Sequence, residues 1–197
     1  MRKISPKYEN PLDDYTTKIV ELINPFFKKL NFTPNALTTI SLITGLYSVY
    51  FIKNKKFEKA ALFYLISYFF DIQDGNYARK YNMVTVFGDY YDHVKDITVI
   101  VLVLYYLYPY YKNNKNAIII FFILAIGMMS QLGCQEIYYN SNDDENESYT
   151  LNITRKFCPI KNKKQICKIM HFTKFLGCGT FIAYTTLAIY YLKNYKT

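Results

Sequence analysis

Apolar residues along this chain fall in long blocks rather than at helical intervals. The run ALTTISLITGLYSVYFI, Ala36 to Ile52, holds no charge, and a second uncharged stretch begins at Ala117 and lasts until Glu136. A bilayer-crossing helix needs roughly 20 mostly apolar residues, and the region from Ile169 to Leu192 qualifies as well. A soluble bundle would set apolar residues at i, i+3 and i+4 with polar faces between, whereas these blocks are apolar all round. The pattern predicts an all-α, polytopic membrane helix bundle of about five to six transmembrane helices. Five spans can be drawn: Ala36 to Ile52, Lys59 to Ala78, Asp89 to Tyr110, Asn116 to Tyr139 and Ile166 to Leu192.

Ahead of the first span, MRKISPKYENPLDDY mixes charges of both signs with no apolar core behind it, so it does not read as a cleavable signal peptide. Asp13 to Leu30 instead reads as an amphipathic helix with Ile19, Leu22, Ile23, Phe26 and Phe27 on one side. It would lie in the membrane interface or stand as a short soluble helix, with Pro25 breaking or kinking it. Residues 1–34 thus form a cytosolic N-terminal segment with a juxtamembrane helix, and residues 35–197 a transmembrane catalytic domain.

Lysine and arginine are more frequent on the side of the N-terminus than on the other, which puts the connections after the second and fourth spans in the cytosol. The net charge of +9 is met by anionic lipid headgroups and needs no nucleic acid. The polar stretch from Asn140 to Lys164 would be a cytosolic loop, and its sequons at Asn146 and Asn152 chance matches in an asparagine-rich chain. Cys134, Cys158, Cys167 and Cys178 show no paired spacing, so neither a disulfide nor a zinc site is expected, and Cys158 should be reachable by cytosolic thiol reagents.

Charge is concentrated in one place where apolar helices should be. The stretch DIQDGNYARKYNMVTVFGDYYDHVKD, Asp71 to Asp96, interrupts the second and third spans, and neither span is long enough without it. Asp71 lies eight residues before Arg79 and Asp96 eight residues after Gly88, so both sit about 12 Å from the connection at a common depth. Asp71 and Asp74 are i and i+3, and Asp92 and Asp96 are i and i+4, so each pair shares a helix face. A single acid near the centre of a membrane helix costs roughly 2.5 to 3.5 kcal/mol, so four converging ones require a cation. Oxygen-only ligands on two rigid helices suit Mg2+ or Mn2+, and four acids suffice for two ions. Gly75, Ala78 and Gly88 leave room for a ligand to approach the backbone, and the Arg79 fork at the mouth could hold a phosphate oxygen.

Asp71, Asp74, Gly75, Ala78, Arg79, Gly88, Asp92 and Asp96 fit without a gap the signature D-x2-D-G-x2-A-R-x8-G-x3-D-x3-D, and the chain thereby resembles the CDP-alcohol phosphatidyltransferase family. TPNALT, Thr33 to Thr38, resembles the Pro-Asn turn that begins that family's first span. The resemblance runs from about Asp13 to Tyr139, and the family's core usually has six spans against the five drawn here. It implies transfer of a phosphoalcohol group from a CDP-alcohol donor to the hydroxyl of a lipid acceptor, with release of CMP, in a protein that is commonly a homodimer. Asp71, Asp74, Asp92 and Asp96 would hold two metal ions, with Asp96 also a base. Gly75, Ala78, Arg79, Gly88, Asn35 and Thr38 would bind substrate. A membrane prenyltransferase or a metal-ion transporter would also use acids in spans, but neither calls for the G-x2-A-R between them.

Asp89 and His93, which that signature leaves free, stand at i and i+4 one turn before Asp96. Histidine is the usual proton acceptor near neutral pH. GDYYDHVKD resembles the G-E-x-x-D-H-x-x-D of the choline and ethanolamine phosphotransferases, which implies CDP-choline or CDP-ethanolamine as donor and a diacylglycerol as acceptor. In that reading His93 or Asp89 assists removal of the acceptor's proton; alternatively His93 only orients Asp92, or the donor is CDP-diacylglycerol.

Overall fold

The computed structural model describes residues 4–140, 150–160 and 162–194, and among these it contains helices and no strand. Helix α1 spans Pro11–Lys29, α2 Pro34–Lys53, α3 Phe57–Lys80, α4 Val86–Tyr111 and α5 Lys115–Asn140. A 3-10 helix, Leu151–Phe157, precedes α6, Lys163–Thr173, and α7, Cys178–Tyr191, follows. Asn10, Thr33 and Thr85 cap α1, α2 and α4, each accepting a hydrogen bond from a first-turn amide, and Pro11 and Pro34 take first-turn positions where no amide partner is lost.

The turns after α1, α2 and α3 are built alike. Asn31, Lys55 and Asn82 adopt positive φ of 55°, 56° and 54°, and the next amide reaches back to a carbonyl of the last helical turn: Phe32 to Phe27, Lys56 to Phe51, Met83 to Ala78. This left-handed closure satisfies helix-end carbonyls and redirects the chain within a few residues.

Helices α2, α3 and α4 pack together, α7 lies against α3, and α5 joins α7. The main core, with Val49, Ile52, Ala60, Tyr64, Val103, Leu107 and Ile189, fills the end of the bundle where α2 ends and α3 begins. The aspartates occupy the opposite end, so the bundle is held together by one half and carries its chemistry in the other. Large apolar side chains face outward, among them Tyr105 on α4 and Phe122 and Ile126 on α5. Such a surface suits hydrocarbon, not water.

Pro34–Lys53, Lys115–Tyr138 and Gln165–Asn194 are long and apolar enough to cross a bilayer. Helices α3 and α4 coincide in position with the expected second and third spans, but with the acids inside them they are not among the helices apolar enough to cross by composition. Of the two outcomes expected at Pro25, a break is excluded, since α1 runs through it to Lys29. The fifth span, expected as one helix from Ile166 to Leu192, breaks at Gly177, whose backbone is extended. The break is made by tertiary contacts: Asn10 Nδ2 donates to the Lys174 carbonyl at 2.7 Å and to Thr180 Oγ1 at 2.8 Å. The Gly179 amide donates to Asp13 at 3.3 Å.

Helix α1 turns Thr17, Val20 and Asn24 inward and leaves Leu22 and Phe26 outside, 80% and 61% exposed. An interfacial helix would have this distribution, with small and polar residues toward the bundle and apolar ones on the outer face. Asn24 donates to Asn76 of α3 at 2.8 Å and accepts from Gln73 at 3.4 Å, which fixes α1 against the site-bearing half of α3.

Cys134 and Cys158 form a disulfide, against the expectation that the cysteines stay unpaired; Cys158 is therefore not a thiol for labelling, and Cys167 and Cys178 are the free ones. The bond pins the 3-10 segment to α5. There a Cβ on Gly133 would collide with the Thr154 carbonyl, so glycine permits the close approach. Asn146 falls outside the described residues, as does the side chain of Asn152.

Candidate active site

Between the start of α2, the second half of α3 and the first turns of α4 lies a cleft of about 490 Å³. Asn35, Thr38, Asp71, Asp74, Gly75, Ala78, Arg79, Gly88, Asp89, Asp92 and His93, each expected from sequence, all line it. Asp96 does not. Its side chain is 50% exposed, and its Oδ1 pairs with Lys95 Nζ at 2.7 Å.

Two antiparallel helices deliver the acids because the turn at Asn82 folds α4 back along α3. Asp71, Asp74 and Asp92 each present a carboxylate oxygen, and these lie within 4.8 Å of one another, close enough to hold one metal ion. Asp74 Oδ2 accepts from the Thr38 hydroxyl at 2.6 Å, which orients that carboxylate. Asp92 Oδ1 is buried and accepts no hydrogen bond, although Lys95 Nζ stands 3.0 Å away. Three converging carboxylates make a hard, oxygen-only donor set, which fits Mg2+ or Mn2+.

Lys95 is a member of this site that the sequence reading does not single out. Its side chain is 1% exposed, and its ammonium is paired with Asp71, Asp92 and Asp96 while donating to Ser41 Oγ at 3.3 Å. The available signal was its helical position three residues after Asp92 and next to Asp96.

The Arg79 guanidinium lies over Gly75, where an added Cβ would come within 3.2 Å of it, so the glycine lets the arginine fold back along α3. Gly88 opens the first turn of α4 beside Asn35, whose Oδ1 would be 3.2 Å from a Cβ there. Thr85 Oγ1 accepts from the Gly88 amide at 3.0 Å and sets the start of that helix.

At the mouth, His93 Nδ1 lies 2.7 Å from the Asp89 carbonyl oxygen and 2.9 Å from Thr150 Oγ1. Thr150 donates its amide and its hydroxyl to Asp89 Oδ2 at 3.0 and 2.8 Å. Asp89, His93 and Thr150 thus form one network, with the third member brought from the segment that the disulfide anchors. With a proton on Nδ1 engaged by the Asp89 carbonyl, Nε2 is the basic ring nitrogen. Thr150 carries no sequence signal, since it is 61 residues from Asp89 in a polar stretch.

Asp13 and Tyr68 close the inner wall. The Tyr68 hydroxyl donates to Asp13, yet burial pushes the Asp13 carboxyl up to about 6.

The family model for CDP-alcohol phosphatidyltransferase matches residues 31–192, well past the Tyr139 at which the sequence resemblance was drawn to stop. No curated protein and no solved structure gives a match.

Proposed function

The chain belongs to the CDP-alcohol phosphatidyltransferase family, and from that premise we propose that it transfers phosphocholine or phosphoethanolamine from the CDP-alcohol to diacylglycerol. The broader statement needs no proposal: it is an integral membrane transferase of substituted phosphate groups in phospholipid synthesis, from a metal-dependent family that uses a CDP-alcohol donor and a lipid acceptor. The observation that carries the finer reading is the network of Asp89, His93 and Thr150 at the mouth of the cleft that holds the aspartates.

Asp71, Asp74 and Asp92 would hold Mg2+ or Mn2+, which supplies charge neutralisation for the diphosphate and favours in-line displacement. Arg79 contacts the diphosphate oxygens, and the small residues Gly75, Ala78 and Gly88 allow the nucleotide to lie against the backbone. Asn35 and Thr38 border the same space from α2. The acceptor oxygen bonds to the phosphorus of the transferred group, the bond from that phosphorus to the CMP oxygen breaks, and His93 Nε2 takes the hydroxyl proton. His93 suits this role better than Asp96 because it lines the cleft and Asp96 does not. Asp89 and Thr150 hold the ring in the required tautomer.

The test is CMP release by the protein in detergent, with a panel of CDP-alcohols and acceptors, with Mg2+ or Mn2+ and with EDTA. CMP formed from CDP-choline or CDP-ethanolamine supports the reading. Phosphatidylinositol or phosphatidylserine made from CDP-diacylglycerol, with those two donors ignored, overturns it and leaves the family intact.

The Lys and Arg balance supports a cytosol-facing site. The Cys134–Cys158 bond favours the opposite orientation, since disulfides persist in oxidising compartments and this one stands on the same side as the cleft. Sugar on Asn146 or Asn152 would decide for the second.

A further inference from the structure

The two groups of carboxylates around Lys95 overlap. Asp71, Asp74 and Asp92 form one set within reach of a single cation, and Asp71, Asp92 and Asp96 form another around the Lys95 ammonium. Asp71 and Asp92 belong to both, so the sets describe two adjoining cation positions, one of which is filled by the chain itself. The ammonium is not a surface charge that drifted inward. Its side chain is 1% exposed, it also donates to Ser41 Oγ on α2, and a desolvated ammonium is tolerated only where acids surround it.

We propose that Lys95 is a built-in cation that occupies the second of these positions, so that this chain takes one divalent ion, on Asp71, Asp74 and Asp92, where its four acids would otherwise hold two. Asp96 is then the lysine's counter-ion and not a metal ligand, in keeping with its place outside the cleft lining. A second divalent ion beside Asp71 and Asp92 would meet the buried ammonium at close range, where screening is weaker than in bulk water. For its catalytic meaning the inference rests on the functional reading above, but its test does not.

The experiment is a Mn2+ titration of the full chain in detergent, with free Mn2+ followed by its EPR signal. Wild type should bind one ion per chain, and Lys95→Ala two, with the exchange-coupled spectrum of a neighbouring pair. Lys95→Met, which keeps the volume of the stem, should behave as the alanine variant does and stands in for it if that variant aggregates. Two variants read the same assignment from the other side: Asp96→Asn should still bind one ion and Asp74→Asn none. Two ions or none in wild type, one ion in both lysine variants, or loss of an ion in Asp96→Asn would each overturn the proposal. One bound Mn2+ with no CMP released from any CDP-alcohol would sink the functional reading and leave the lysine assignment standing; CMP release with two bound ions would do the reverse.

Discussion

The Thr38 hydroxyl donates to Asp74 Oδ2 across 2.6 Å, joining the first turns of α2 to the only one of the four acids that Lys95 does not touch. A carboxylate held this way presents its remaining oxygen lone pairs to the cleft in a fixed direction. Thr38→Val should raise the Mn2+ concentration for half-maximal activity by about 10- to 100-fold, while Thr38→Ser, which keeps the donor, stays near wild type. Metal-dependence curves for the three proteins check it; equal loss in both variants would assign Thr38 to packing.

Asp92→Asn should abolish CMP release and leave a monodisperse, folded protein. The change keeps the shape of the side chain but removes the charge from an oxygen that is buried without a hydrogen bond. Turnover like that of wild type would remove Asp92 from the site.

How far the molecule can be read from its sequence follows from where each signal resides. Helices α2 to α5 are visible because apolar blocks end at turn-forming residues, and the aspartates are visible because charge inside a span is costly. The break at Gly177 is not, since apolar composition continues on both sides and the interruption depends on Asn10 and Asp13, more than 160 residues away. The pairing of Cys134 with Cys158 has no spacing rule to reveal it. The role of Lys95 is not visible either, because a residue's inward direction depends on the neighbouring helices, and Ser41 and Asp71 come from two of them.

Gly179→Ala should destabilise the protein by about 1–3 kcal/mol through overpacking, read as a lower melting temperature. The added Cβ would lie 2.6 Å from Asp13 Oδ1, 2.7 Å from Asn10 Oδ1 and 2.9 Å from Leu12 Cβ, at the start of two helices. An unchanged melting temperature would mean that α1 can withdraw from α7 at little cost.

Removal of the disulfide by Cys134→Ser with Cys158→Ser should cost about 3 kcal/mol, the entropy of a closed loop with a sequence separation of 24. Because the bond anchors the segment that carries Thr150, activity should also fall in the stable fraction. Full activity with intact stability would show that the bond neither braces the fold nor positions that segment.

Asp13 gives the stability a pH dependence of definite sign. Burial raises its carboxyl from 3.8 to about 6, the Asp71 charge adds to the rise, and the Tyr68 hydroxyl and the Gly179 amide offset part of it. The folded value lies above the unfolded one, so the contribution is fully present below about 3.8 and is lost as pH rises through about 6. Asp13→Asn, which keeps an acceptor for Tyr68, should flatten melting temperature between pH 4 and 6. An identical slope in wild type and variant would place the titration elsewhere.

His93 offers the sharpest division between chemistry and binding. If Nε2 takes the acceptor's proton, His93→Gln should lower kcat by about 100- to 10,000-fold, the usual worth of a general base, with KM for the CDP-alcohol changed little. Thr150→Val removes a donor to Asp89 and a partner of Nδ1, and should lower kcat less, because the Asp89 carbonyl still holds the ring. Asp89→Glu is the informative third variant. It installs the residue of the choline and ethanolamine enzymes that this stretch resembles, so activity toward CDP-choline or CDP-ethanolamine should be kept or raised. The three together separate the roles: a histidine that only braced Asp92 would be lost together with metal affinity, so a His93→Gln protein that still binds Mn2+ as wild type does, yet fails to turn over, isolates the proton transfer. Loss of Mn2+ binding in that variant would reassign His93 to positioning Asp92 and return the role of base to Asp96.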